Sequence, residues 1–256
     1  AAPDGIGILA DVMSYLAHHN LNVVESHDFG DPQTRRFFIW ARFEAEGSFY
    51  QSAFEDGFRT LAQKREIEWQ LRGVDDKPNV LVLVSKGDHC LNDLLYRHRR
   101  GRLGAQIVGV VSNHPDAAWH AERHDLPFYH IPVTKETKAE AETRLLDLIE
   151  ETQTDFVVLA RYMQILSDAL TQKLEGRCIN IHHSALPSFK GARPYHQAHA
   201  RGVKLMGATA HYVTAALDEG PIIAQDVSPV DHRMSPERMA ELGKDTEARV
   251  LARAVT

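Results

Sequence analysis

Between residues 80 and 160 the chain repeats one alternation that constrains its fold more than any other feature. Val80-Leu81-Val82-Leu83-Val84 is apolar at every position, the pattern of a strand covered on both faces rather than one. A helical spacing follows (His89 to Arg100), then a strand (Gln106 to Val111), a helix (Ala117 to His124) and a strand (Phe128 to Ile131). A longer helix (Glu136 to Thr152) and a strand (Phe156 to Ala160) complete the series. Each parallel strand needs a crossover to reach the next, so this order builds a mostly parallel sheet with helices on both faces. The expected fold here is α/β and Rossmann-like. Such sheets place ligands beyond the carboxyl ends of their strands.

The first 72 residues have another rhythm. Ile6, Leu9, Val12, Met13 and Leu16 fall at helical spacing within Gly5 to His19. Asn22 to Phe29 and Arg36 to Phe43 read as strands about a turn at Gly30-Asp31-Pro32, a second helix fits Phe49 to Lys64, and Ile67 to Leu71 fits a short strand. The order is that of a ferredoxin-like βαββαβ unit with its first strand missing. Gly73 to Pro78 is polar and carries Gly and Pro, the composition of a linker. The boundary is expected there, giving domains 1–75 and 76–256.

Past residue 178 the alternation breaks. Cys178 to His182 begins as a strand, and His183 to Ala192 is a loop too long for a simple connection. Val203 to Tyr212 and Ile222 to Val230 then read as two strands joined by the turn Leu217-Asp218-Glu219-Gly220-Pro221, and a helix runs on from Ser235. Asn180 and His182 lie two apart on the first of these strands, so both point to one face while Ile179 and Ile181 point to the other. An amide beside an imidazole can bind the developing oxyanion of a carbonyl under attack, and the imidazole can also move a proton. Bland alternatives stand beside this: a turn cap for Asn180, a satisfied core position for His182, and for Asp218 a turn that its Gly and Pro neighbours already explain. His196 and His199 share a helical face, but no third ligand of matching spacing supports a metal site.

Charge and cysteine content narrow the classes further. Lys and Arg number 29 against 35 Asp and Glu, a formal charge of 29 − 35 = −6. That disfavours broad nucleic-acid binding, which draws on phosphate neutralisation. The two cysteines, Cys90 and Cys178, form no CxxC pair and suit a reducing compartment. No apolar run is long enough to span a membrane, and Ala1-Ala2-Pro3-Asp4 lacks the layout of a signal peptide. A cytoplasmic location is the expectation.

Two motifs at this separation, Asn180-Ile181-His182-His183-Ser184-Ala185-Leu186-Pro187-Ser188-Phe189-Lys190-Gly191 and Leu217-Asp218-Glu219-Gly220-Pro221-Ile222-Ile223, resemble those of the folate-dependent formyltransferase family. Within it, Ser85 to Leu95, Ala160 to Leu166 and Gly191 to Ala198 are most similar to its hydrolytic branch. Pro3-Asp4-Gly5-Ile6-Gly7 and Phe29-Gly30-Asp31 resemble the N-terminal ACT regulatory domain of that branch.

The resemblance implies a formyltransferase domain that hydrolyses 10-formyltetrahydrofolate to tetrahydrofolate and formate, supplying formate for purine synthesis and balancing one-carbon pools. It implies Asn180, His182 and Asp218 as catalytic residues. Asn180 and a protonated His182 would bind the oxyanion, and Asp218 would hold the imidazole and relay the proton of water. Folate would bind through Met163, Gln164, Ile165, Leu166, His183, Ser184 and Gly191. No metal and no cofactor are implied, folate being the substrate. An ACT unit implies a small amino-acid effector near Asp4, Gly7 and Asn22 and a homo-oligomer formed through that unit. Two alternatives remain. Formyl transfer to glycinamide ribonucleotide would need a glycine-rich phosphate loop, whereas Ser85-Lys86-Gly87-Asp88-His89-Cys90 holds a single glycine. A mainly amino-acid-sensing protein would have no use for the catalytic set.

Overall fold

Aromatic and β-branched residues crowd positions 21 to 45, and they close into a long hairpin. The computed structural model describes residues 1–188 and 194–256, and these form two compact units, Ala1–Val74 and Asp75–Thr256. The first contains β1 (Ala2–Pro3), α1 (Ile8–His18), β2 (Leu21–Asp31), β3 (Arg36–Ala45) and α2 (Gln51–Arg65). Its sheet has the order β1-β3-β2, antiparallel throughout. Val12 and Leu16 of α1 pack with Phe54 and Phe58 of α2 in one core.

Three expectations for this unit need correction. The first strand is present as two residues, Ala2 and Pro3, paired with Phe37 and Arg36. The hairpin turn lies further on, at residues 32–35, because β2 continues to Asp31. The Asp31 carboxylate accepts hydrogen bonds from the Gln33 amide (2.9 Å) and the Thr34 hydroxyl (2.6 Å), an Asx turn that sets the reversal there. Ile67 to Leu71 forms no ladder. A strand needs a partner along its length, and among the described residues only Ala1 pairs with this segment, exchanging two 2.8 Å hydrogen bonds with Glu68.

The second unit follows the expected alternation: β4 (Asn79–Val84), α3 (His89–Arg99), β5 (Gln106–Ser112), α4 (Ala118–Glu122), β6 (Phe128–His130), α5 (Lys138–Glu151) and β7 (Phe156–Leu159). Then come α6 (Asp168–Lys173), β8 (Cys178–His182), α7 (Pro194–Ala200), β9 (Leu205–Tyr212), β10 (Ile222–Pro229) and α8 (Pro236–Val255). α8 starts where Ser235 accepts from the Arg238 amide with Pro236 behind it, a strong start signal. The short α6 had no clear apolar period to announce it.

The sheet order is β10-β9-β8-β7-β4-β5-β6. β6, β5, β4, β7 and β8 are parallel, and β9 and β10 are added antiparallel at one edge. Val80 through Val84 are 0% exposed. Val80, Val82 and Val84 pack on the side of α3 and α8, against Leu91, Leu94 and Leu251, while Leu81 and Leu83 pack on the side of α5 and α6, against Leu145, Leu148 and Leu170. Each such side chain contributes about 1.5–3 kcal/mol by leaving water, which is why an unbroken apolar run marks the centre of the sheet. The chain leaves β4 toward β5 and β6, then returns to β7 and β8 on the other flank. That reversal opens a crevice at the carboxyl ends of β4 and β7. No helix of the described residues is long and apolar enough to cross a membrane.

Candidate active site

β8 ends in this crevice. Ile179 and Ile181 sink into the core beside α8, which leaves Asn180 and His182 on the opposite face, as their spacing requires. Register fixes their neighbours: Asn180 lies between Leu159 of β7 and His211 of β9, and His182 pairs with Thr209. The Asn180 amide nitrogen is 3.2 Å from His211 Nε2. The other nitrogen of that ring, Nδ1, is 2.9 Å from the Tyr212 carbonyl oxygen. A carbonyl only accepts, so Nδ1 carries the proton and Nε2 of the neutral ring accepts from Asn180. His211 therefore turns the NH2 end of the amide in a fixed direction.

Asp218 reaches the same place from the turn between β9 and β10. Its Oδ1 lies 3.3 Å from His182 Nδ1 and 3.6 Å from His211 Nε2, with its side chain 13% exposed. The turn is set by backbone. Asp218 sits at φ 57°, a left-handed conformation that Asp tolerates better than most residues, and a Cβ on Gly220 would collide with the Tyr212 carbonyl. Only glycine lets the turn close there. The structure thus brings together all three residues singled out for catalysis.

His182 is 5% exposed, and its Nε2 is buried with no hydrogen-bond partner among the described residues. Burial is the main influence on the ring and lowers its pKa; Asp218 opposes it, and Arg161 acts in the same direction as burial. A ring so placed starts neutral near pH 7, its Nδ1 proton toward Asp218 and its Nε2 lone pair toward the crevice. This alters the role expected from sequence, where His182 began protonated.

The residues expected around folate divide. Met163 and Ile165 are 61% and 66% exposed on the segment after β7, while Leu166 packs beneath them on the α5-side core. The segment is held by Ser85 at the end of β4, whose Oγ accepts from the Met163 amide (2.9 Å) and donates to Asn113 Oδ1 (2.6 Å). Gln164 lines a small recess with Leu145 and Tyr162. His183 stacks on His182, with ring centroids 5.0 Å apart. Ser184 is buried, and its hydroxyl donates to the Ser188 carbonyl. Gly191 lies outside the described residues. Asp88 starts α3 but does not cap it, its carboxylate lying 2.9 Å from His120 Nε2 instead.

Asp4, Gly7 and Asn22 do not gather in one place. Gly7 begins α1 at φ 86°, and Asp4 Oδ2 approaches Gly30 near one end of β2. Asn22 pairs with Glu44 at the other end, roughly 27 Å along the strand at ~3.4 Å per residue.

Three further residues of the crevice were not singled out in the sequence. His211 carried a usable signal, since Thr209 and His211 interrupt an otherwise apolar strand at a spacing of two, just as Asn180 and His182 do. Arg161 lay within the Ala160 to Leu166 segment without being singled out, and Glu247 carried no signal. Glu247, on α8, is 1% exposed and takes hydrogen bonds from His89 Nε2 (2.8 Å) and the Tyr195 hydroxyl, with Arg161 Nε at 3.4 Å. Its pKa is lowered despite the cost of burial, which these three donors more than offset.

The formyl transferase family model matches residues 78–255. A formyltetrahydrofolate deformylase from Corynebacterium sp. (strain P-1) is 48% identical over 254 residues, 99% of this chain and 89% of that one. The crystal structure of formyltetrahydrofolate deformylase from Burkholderia mallei superposes with a TM-score of 0.95 at 49% identity, covering 99% of this chain and 90% of the other. A phosphoribosylglycinamide formyltransferase from Brucella melitensis superposes with a TM-score of 0.65 at 30% identity, over 70% of this chain and 94% of its own.

Proposed function

The chain belongs to the formyl transferase family, and from that premise we propose that it hydrolyses 10-formyltetrahydrofolate to tetrahydrofolate and formate. The extent of the likeness carries this reading: relatives named as deformylases match nearly the whole chain, whereas the ribonucleotide formyltransferases match only part of it.

In the proposed reaction, water adds its oxygen to the formyl carbon while the neutral His182 takes a proton at Nε2. The Asn180 amide, steered by His211, donates to the oxyanion that forms. Asp218 beside Nδ1 stabilises the imidazolium. The C–N10 bond then breaks, N10 takes the proton back from His182 Nε2, and formic acid leaves to ionise in water. The proton borrowed at the first step is returned at the second, so the ring ends as it began. Met163, Gln164, Ile165 and Leu166 are proposed to hold the pterin, with His183, Ser184 and Gly191 beside the formyl group. No metal or cofactor enters this scheme. Free formate and tetrahydrofolate would serve purine synthesis and one-carbon balance in the cytoplasm, and the buried free thiols of Cys90 and Cys178 suit that compartment.

For the first unit we propose an ACT-like regulatory role. Phe29 and Phe38 are register partners on the hairpin and Trp40 shares their face, at 61%, 43% and 52% exposure. A second copy would cover that face. Because Asp4 and Asn22 stand apart within one chain, an amino-acid effector would bind between copies.

Incubation with 10-formyltetrahydrofolate alone, then with glycinamide ribonucleotide added, tests the main reading. Formate release in the first mixture, unchanged by the second compound, is expected. Turnover only with the acceptor would overturn it.

A further inference from the structure

His182 and His183 form a stacked pair, with ring centroids 5.0 Å apart and planes 27° from parallel. Two imidazolium rings in such contact repel strongly, so the pair holds one proton far more readily than two. Catalysis needs that proton on His182. What decides between the rings is Arg161, just beyond β7, whose Nη1 lies 2.6 Å from His183 Nδ1. A guanidinium can only donate. Nδ1 of His183 is therefore the acceptor, its lone pair is taken, and the single ring proton sits on Nε2.

We propose that Arg161, anchored by the buried carboxylate of Glu247, is a positioning residue that prevents His183 from taking a second proton, so that of the two stacked imidazoles only His182 can accept one during turnover. This rests on the hydrolytic reading above and adds to it a residue that controls where the proton goes.

The anchoring is firm at both ends. The Arg161 backbone is at φ 64°, and its carbonyl accepts from the Ser85 amide at 3.2 Å. Its Nε faces Glu247 Oε2 at 3.4 Å. Glu247 is held in turn by His89 of α3 and Tyr195 of α7. Tyr195 comes close enough because α8 carries a glycine there: a Cβ on Gly243 would collide with the Tyr195 ring.

The groups facing His183 come from four directions: Arg161 beyond β7, His182 on β8, Tyr195 on α7 and Glu247 on α8. Burial, then Arg161 and His182, lower the His183 pKa to about 4, and Glu247 acts weakly the other way. The geometry and the charges agree. His89, Cys90 and Glu247 also bring three potential ligand atoms within 4.8 Å of one another, but the Glu247 carboxylate is already committed to Arg161, Tyr195 and His89, and the guanidinium supplies the positive charge a cation would bring.

The test follows the imidazole nitrogens of the full-length chain by NMR, with His183 assigned from a His183→Gln variant, beside pH profiles of kcat and KM for formate release. In the unsubstituted chain, His183 Nδ1 should remain unprotonated from pH 8 to well below the ordinary histidine midpoint of about 6.5. In Arg161→Met, the His183 midpoint should rise, staying below that ordinary value because burial remains, and the acid limb of kcat should move up by about one pH unit or more, with KM changed less than kcat. Adding His183→Gln to Arg161→Met should return the acid limb toward its original position. A purely structural Arg161 would lower kcat equally at every pH, and that result overturns the proposal. Should Arg161→Met not fold, the NMR titration of the unsubstituted chain decides, since an ordinary His183 midpoint is equally fatal. If His183 behaves as described but the chain releases no formate, the positioning role stands and the hydrolytic reading falls.

Discussion

At the scale of single residues the site turns on one nitrogen, His182 Nε2, buried and unpartnered among the described residues. Buried polar atoms are rarely left so unless something is to be bound there. His182→Ala should fold normally and lose most turnover in a formate-release assay. Asn180→Ala should lose about 10²- to 10³-fold in kcat, the usual cost of one oxyanion donor. The pH dependence has a definite sign. The neutral ring is the active form, and its pKa lies below the ordinary 6.5, chiefly through burial. Activity should therefore persist as pH falls through 6.5 and decline only further down. A kcat/KM profile that instead rose toward acid would assign the protonated ring, the role first expected from sequence. Asn180 and His182 were legible in the sequence because strand spacing alone puts them on one face. Arg161 was not, since its partner His183 is 22 residues away and no periodicity links a loop residue to the end of the next strand.

At the scale of elements, two glycines test how backbone positions side chains. Gly220 allows the β9–β10 turn to close against Tyr212, and Gly220→Ala should displace Asp218, lowering both thermal stability and kcat. Gly243 lies inside α8, where Gly→Ala ordinarily stabilises a helix by about 1 kcal/mol. Here the added Cβ meets the Tyr195 ring, so Gly243→Ala should lower the melting temperature instead. A rise would show that Tyr195 moves aside freely. The central strand was readable because burial on both faces leaves an unbroken apolar run from Val80 to Val84. The hairpin turn was misplaced by a few residues because the Asp31 carboxylate, rather than Gly30, fixes it. Ile67 to Leu71 has the composition of a strand, yet composition does not say whether a partner is present to pair with it. His211 and Glu247 illustrate the same limit: a register across 31 residues and a carboxylate buried by three other elements are properties of the packed structure.

At the scale of the whole molecule, the buried rings tie stability to pH. The folded pKa of His183 is about 4 against 6.5 for the free ring, and that of His182 is lowered too. Below pH 6.5 the unfolded chain binds protons that the folded chain refuses, so stability is full above that value and falls as pH drops toward 4. His183 alone makes this on the order of 2–3 kcal/mol. Denaturant titrations at successive pH values should show the midpoint falling over that interval. The central claim is that water is the formyl acceptor and His182 its base. Single-turnover reaction of the intact chain with 10-formyltetrahydrofolate in ¹⁸O-labelled water tests it most directly. One labelled oxygen in each formate released, with the reaction lost in His182→Ala, is the predicted result. Unlabelled formate, or a His182→Ala variant that reacts at the original rate, would contradict it.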